Sequence, residues 1–391
     1  MKFGDSIYLD YQASTPLDPR VKALMQDDSE SYFANPHATQ HLLGQQAGQA
    51  AETARAEVEN CIGAAAEEVI FTSGATEANN QAIASVLFAN RSSRRKILIS
   101  AIEHKCIKNA AYFYGAKLGY QIAEIPVLAS GQIDRQQYEA MLSDDVLLVC
   151  IMAVNNEIGV IQDIKTLTKL AHDAGAIVHC DAAQAPEAVD IEVKDWAVDM
   201  LSLSAHKIYG PKGIGVLYIR NDLQAELPPF IHGGGQQFGM RSGTLPVALA
   251  VAMAAAVKLC KAEAAFNRSR LATLKQLFLD ELMAAGIRFK VNGDKFNSHP
   301  GNISIQFNGY AAMDLLNAIQ PQICASTGSA CNSDMVVPSH VLTAIGLSDS
   351  QALSTIRFSI GRYSDAEQIK QAVSILAANL AIRADHRAGA Y

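Results

Sequence analysis

Ser204-Ala205-His206-Lys207-Ile208-Tyr209-Gly210-Pro211-Lys212-Gly213 is the stretch whose reading decides the fold. It is entered from Met200–Ser204, a short run of the kind that makes a strand covered on both faces. A serine, a histidine and a lysine then follow one another into a Gly/Pro turn that holds a second lysine. In sheets of parallel strands, ligands bind beyond the carboxyl ends of the strands. A lysine placed there with a lowered pKa can condense with a carbonyl cofactor. Taken alone, a lysine in a turn reads as an ordinary surface residue.

Similar short runs lie on either side of this segment. Val69–Thr72, Lys96–Ser100, Gln121–Ile125, residues 146–152, residues 176–181 and Gly215–Ile219 are predicted strands. Helical patterns separate several of them. Ala75–Ala89 carries Thr76 and Glu77 in its first turn, and residues 163–174 end at Gly175, a common helix stop. This alternation predicts an α/β fold with a mostly parallel sheet of seven strands.

After Ile219 the texture changes. Residues 221–245 are rich in Gly and Pro and read as an extended loop, followed by a long helix from about 246 to 285. Strands at 287–291, 302–307, 323–326 and 356–359 then mix with helices at 311–319, 338–345 and 365–382, a smaller α+β unit. Tyr8-Leu9-Asp10 has no sheet partner nearby in sequence and is expected to join that unit. The expected division is a large domain at 15–257 and a small domain made of 1–14 and 258–391.

Composition limits the rest. The chain has 391 residues, a length at which about 150 residues per domain gives two or three domains. With 49% apolar and 18% charged residues, it is neither disordered nor fibrous. A net charge of −7 argues against direct nucleic-acid binding. The run Arg91, Arg94, Arg95, Lys96 reads as a solvated loop. No stretch reaches the roughly 18 consecutive apolar residues of a membrane span, and no secretory signal is visible. Seven scattered cysteines with no C-x-x-C fit a reducing cytoplasm. No His/Cys pair has metal-ligand spacing, so no metal is expected.

Two further segments carry chemistry. Thr72-Ser73-Gly74-Ala75-Thr76-Glu77-Ala78-Asn79 runs from strand through a Ser-Gly turn into a helix start. Unpaired amides and the helix dipole there suit a phosphate, although an ordinary capped helix would read the same way. In Cys180-Asp181-Ala182-Ala183-Gln184 an acid ends an apolar strand and needs a cationic partner. A protonated pyridine nitrogen is one such partner, and an aspartate against it preserves an electron sink. Lysine, cradle and aspartate on one sheet describe a pyridoxal 5'-phosphate site.

With these residues in place, the chain resembles the cysteine desulfurases, among the class V aminotransferase-like enzymes of fold type I. The likeness runs through Tyr8-Leu9-Asp10, Asn35-Pro36, Glu103-His104, Asn155-Asn156-Glu157-Ile158-Gly159, Gly233-Gly234-Gly235-Gln236, Arg241-Ser242-Gly243-Thr244 and Gly328-Ser329-Ala330-Cys331, besides the segments above. The Gly-Ser-Ala-Cys form is that of the housekeeping and nitrogen-fixation subgroup. The resemblance implies that Lys207 holds the cofactor as a Schiff base and that His104 stacks on the ring and relays protons. It implies that Asp181 pairs with the ring nitrogen, while Asn155 and Gln184 address the phenolic oxygen. Thr76, the Ala75 amide, Ser204 and His206 hold the phosphate, and Thr244 reaches that of a neighbouring subunit in a homodimer. Arg357 clamps the substrate carboxylate, with Asn155 and Asn35 nearby. Cys331, on a loop at about 325–335, takes the sulfur of L-cysteine as a persulfide, leaves L-alanine, and passes the sulfur to an acceptor protein.

The sequence also departs from that family. His37-Ala38 stands where Ser-Ser is frequent, Gln237 where a glutamate commonly follows the glycine run, and Cys106 where alanine is usual. Housekeeping members carry a further tail beyond the last helix that engages the iron–sulfur scaffold. Iron–sulfur cluster assembly, tRNA thiolation and sulfur modification of DNA are therefore all open as destinations. The alternatives are a selenocysteine lyase or another lyase or aminotransferase of the class, and a non-catalytic sulfur-relay subunit.

Overall fold

Runs such as Val69–Thr72 and Met200–Ser204 present no solvated face, so they belong inside a sheet covered on both sides. The computed structural model, which describes residues 2–4, 6–327 and 337–388, shows that sheet. Its seven strands lie in the order Val69–Thr72, Gly215–Ile219, Met200–Ser204, Ile177–Asp181, Val146–Cys150, Lys96–Ser100 and Gln121–Ile125. Gly215–Ile219 runs antiparallel to both its neighbours, and every other pair is parallel. One face is covered by Leu42–Ile62 and the long helix Val247–Ala284, through small side chains such as Ala47, Ala51, Ala250 and Ala254. The other is covered by Ala75–Ala89 and Lys105–Leu118, through Ile83, Leu87 and Ile107.

The strand read at 146–152 stops at Cys150. The reason is local: the Met152 amide donates to the Glu103 carboxyl at 2.5 Å instead of to a strand. The reading at 323–326 shortens to Ile323–Cys324, because Ser326 turns away and exchanges backbone hydrogen bonds with Arg357. Residues 221–245 form a loop after one short helix, Asn221–Gln224.

Beyond the long helix, Lys290–Val291, Asn302–Gln306 and Thr355–Ser359 make an antiparallel sheet. The N-terminal strand Ser6–Tyr8 lies parallel to Ile323–Cys324, and Asp10 bridges to Ser359. Ile7, Leu9, Phe278, Phe307 and Phe358 form a core of their own, apart from that of the large sheet. Each fully buried phenylalanine contributes about 1.5–3 kcal/mol over an exposed one, which ties the first residues firmly to the last. The N-terminus thereby delivers Asp10 and Gln12 to the carboxyl end of the large sheet.

Candidate active site

A cavity of about 700 Å³ opens at that carboxyl end, and Lys207, Asp181, His104, Thr76, Arg357 and Asp10 all line it. Lys207 ends a single turn, Ala205–Lys207, that follows Ser204 directly. Its Nζ donates to the carbonyls of Gln12 at 2.7 Å and Ala13 at 2.9 Å. Burial, reinforced by the Arg357 guanidinium, lowers its pKa to about 8, while Asp181 and Asp10 oppose the shift. A nucleophilic amine is thus within reach near neutral pH.

The helix Ala75–Ala89 begins at Gly74, whose φ of 148° suits a residue without a Cβ, and no side chain caps it. Its first amides are left for a ligand. Ala75, Thr76, Ser204, His206 and Lys212 share this end of the cavity. Burial and then Lys207 and Lys212 hold His206 at about 4, so it is neutral here and Lys212 supplies the positive charge. The second lysine of the Gly/Pro turn was legible in the sequence as a feature of the site but not as part of an anion cradle.

Asp181 is 5% exposed. Its Oδ1 accepts the Ala183 amide at 2.9 Å, and its Oδ2 accepts the side-chain amide of Asn79 at 2.8 Å. Asn79 is wholly buried, one turn into the helix whose start forms the cradle. The sequence reading missed this role, although helical spacing from Ala75 places Asn79 on the same face. His104 caps the helix Lys105–Leu118, its Nδ1 accepting the Cys106 amide. Burial lowers its pKa, which keeps the imidazole neutral. Cys106, left ambiguous by the sequence, is on the cavity wall with Sγ 3.0 Å from His104 Nδ1 and 3.2 Å from Asn79 Nδ2. Burial and the nearby Asp181 push its thiol up to about 12.

Gln184 also lines the cavity and donates to the Gln12 carbonyl at 2.9 Å. Asn155 is not on its wall. That side chain is buried, donating to the Ile102 carbonyl and accepting the amides of Glu157 and Ile158, so it shapes the turn that presents Asn156 to the cavity. Arg357 donates to Asp10 Oδ1 at 2.6 Å, to Ser326 Oγ at 2.8 Å and to the Asn156 carbonyl at 2.7 Å, while its buried Nε has no hydrogen-bond partner among the described residues. Asn35 and Thr244 are elsewhere, together in a surface cleft of about 500 Å³ where Thr244 is exposed. The Asn35 Oδ1 accepts the His37 amide at 3.0 Å.

Cys331 lies outside the described residues. The residues flanking that stretch are bonded to residues on the cavity wall or next to it in sequence. On one side is Ser326, bonded to Arg357 and Asp10. On the other, Ser339 Oγ donates to Glu157 at 2.5 Å and His340 Nε2 to the Glu103 carbonyl at 2.9 Å. Cys150, Cys180 and Cys260 are buried packing residues. Among the described residues, no cluster of His, Cys, Asp and Glu could hold a metal ion. No helix there is long and apolar enough to cross a membrane.

The family model for aminotransferase class V matches residues 7–372. The chain is 39% identical over 374 residues to the cysteine desulfurase IscS of Rickettsia bellii, covering 96% of this chain and 91% of that one. A solved NifS-like protein superposes with a TM-score of 0.89 at 30% identity, over 96% of this chain and all of that one. A structure described as SspA in complex with cysteine does so with a TM-score of 0.81 at 36% identity, over 92% of this chain and all of that one. The chain belongs to the class V aminotransferase family and shares its fold. Within that family it is an enzyme of the cysteine desulfurase kind.

Proposed function

We propose that this chain binds pyridoxal 5'-phosphate on Lys207, removes sulfur from L-cysteine, and carries it as a persulfide on Cys331 while L-alanine leaves. The residues present fit the cofactor. The uncapped helix start with Thr76, Ser204, His206 and Lys212 suits the phosphate, Asp181 suits a protonated ring nitrogen, and the face of His104 suits the ring. Gln184 serves the phenolic oxygen, and Asn155 acts through the turn it holds. The bound cofactor supplies an electron sink for the carbon that carries the substrate amine.

The chain's own groups do the rest. Arg357 orients the substrate carboxylate. Lys207 Nζ, released from the cofactor and neutral at modestly alkaline pH, moves the proton on the substrate Cα. The Cys331 thiolate attacks the substrate sulfur, so that an S–S bond forms as the C–S bond breaks and its electrons stay with the three-carbon fragment. His104, held neutral by burial, accepts the thiol proton. The sulfur then moves to an acceptor protein. Thr244, exposed in its own cleft, reaches the cofactor phosphate of a second copy in a homodimer. Residues 15–257 form the large domain, and 1–14 with 258–391 the small one.

The observation that carries this reading is the convergence of Lys207, Asp181 and Arg357 on one cavity. Incubation with L-cysteine and a thiol reductant tests it, with sulfide and alanine both measured. Equimolar release is expected. Cys331→Ser is expected to keep the cofactor absorption band near roughly 400 nm and lose sulfide release. Undiminished turnover would exclude Cys331 as acceptor, and a protein that takes up no cofactor would end the reading.

A further inference from the structure

Arg357 does not meet the cavity as an isolated cation. Its Nη2 is 2.6 Å from Asp10 Oδ1, and both residues line the cavity. Asp10 is delivered by the N-terminal segment, bridged to Ser359, the last residue of the strand Thr355–Ser359 that carries Arg357 at its middle. Its Oδ1 is also taken by Ser326 Oγ at 3.1 Å, while its Oδ2 accepts no hydrogen bond among the described residues. The Asp10 side chain is 18% exposed against 5% for Arg357, so the carboxylate is the more open member of the pair.

We propose that Asp10 and Arg357 read the zwitterion of L-cysteine together, Arg357 taking the α-carboxylate and Asp10 attracting the α-ammonium. This rests on the role given to Arg357 above. A lone guanidinium in a cavity of low dielectric attracts any small anion. A carboxylate bonded to it weakens that general attraction and adds a place for a cation, so a ligand gains fully only by carrying both charges. The placement agrees with the chemistry. The substrate amine has to arrive where Lys207 Nζ resides, and Nζ bonds the carbonyls of Gln12 and Ala13, two and three residues beyond Asp10. Asp10 and Arg357 share the cavity with Lys207, and the charges of both act on its amine, so both bear on the place where the substrate amine must arrive. The rival reading is that Asp10 only neutralises Arg357 and competes with the substrate for it. The two readings predict opposite signs for L-cysteine.

The test uses holoenzyme and three thiols. L-Cysteine carries both charges, 3-mercaptopropionate only the carboxylate and cysteamine only the ammonium. In Asp10→Asn the KM for L-cysteine is expected to rise roughly tenfold, the Ki of 3-mercaptopropionate to fall by a similar factor and that of cysteamine to rise, the scale of one charge-assisted hydrogen bond. In Arg357→Gln 3-mercaptopropionate is expected to weaken and cysteamine to hold or tighten. Asp10→Glu is expected to keep the wild-type order. If Asp10→Asn does not retain cofactor, Asp10→Ser repeats the measurement. Tighter binding of both L-cysteine and 3-mercaptopropionate in the Asp10 variant, or no change in either, overturns the pairing while leaving Arg357 as the clamp. Unchanged 3-mercaptopropionate binding in Arg357→Gln overturns the clamp and the pairing with it.

Discussion

Asn79 gives its side-chain amide to Asp181 Oδ2 at 2.8 Å and holds Cys106 Sγ with the same nitrogen at 3.2 Å. Its own Oδ1 is buried with no hydrogen-bond partner among the described residues. With the Ala183 amide on Oδ1, this fixes the plane of the Asp181 carboxylate from two sides.

Removing that bond is expected to loosen cofactor binding. In Asn79→Ala, the loss of one hydrogen bond to a charged group, about 1.5–3 kcal/mol, corresponds to a roughly ten- to hundredfold weaker Kd for pyridoxal 5'-phosphate. Titration of the apoprotein by absorbance checks it. An unchanged Kd would show that Asp181 needs no help to keep its orientation.

Cys106 invites confusion with Cys331, since among the described residues it is the thiol on the cavity wall. With its pKa pushed up to about 12, it is thiolate in roughly one part in 10⁵ at pH 7. Cys106→Ala is therefore expected to keep sulfide release within about twofold, and Cys106 to resist iodoacetamide at neutral pH. If Cys106→Ala abolished release as Cys331→Ser is expected to, the acceptor thiol would have to be reassigned.

The charges around Lys207 make its reactivity depend on pH in a definite direction. A lowered pKa means that the neutral amine is present at lower pH than for a free lysine, so cofactor loading onto the apoprotein should rise with pH around a midpoint of about 8. Arg357 contributes to the lowering and Asp10 opposes it. Arg357→Gln should therefore move the midpoint up and Asp10→Asn move it down. Rapid-mixing absorbance across pH 6.5 to about 10 checks both, and equal midpoints in all three proteins would exclude this electrostatic account.

The sheet and the lysine turn were legible because each rests on local pattern. Met200–Ser204 and Gly215–Ile219 are strands at the residues where their runs predict them. What the sequence hid depends on contacts between distant positions. Asn155 reads as a site residue by its motif, and its motif does not reveal that its side chain also holds the Ile102, Glu157 and Ile158 backbone beside Asn156 on the cavity wall. Asp10 reads as part of an entering strand, and the pairing of Ser6–Tyr8 with Ile323–Cys324, with the bridge from Asp10 to Ser359, brings it to Arg357 across 347 residues of chain. No periodicity encodes such a meeting.

Gln237 shows the same point from the side of stability. Val69–Thr72 is an edge strand, paired only with Gly215–Ile219, and a buried edge leaves backbone groups that need partners. Gln237 supplies them: its Oε1 accepts the Phe71 amide at 2.8 Å, and its Nε2 donates to the Phe71 carbonyl at 2.9 Å. Arg55 bonds the Val69 carbonyl two residues away. A glutamate at 237 would lack the donor, which accounts in this chain for the amide. Gln237 sits at a φ of 50°, so the loop is held in a left-handed turn to bring that amide home. Gln237→Leu keeps the volume and leaves both Phe71 groups unpaired. At about 1–3 kcal/mol for each of the two buried unsatisfied groups, the expected loss is about 2–6 kcal/mol. It should appear as a lower urea midpoint with little change in slope. Gln237→Glu should lose less, since the Phe71 amide keeps its acceptor. A midpoint unmoved by the leucine would mean that water reaches this edge and that Gln237 serves the fold no better than solvent.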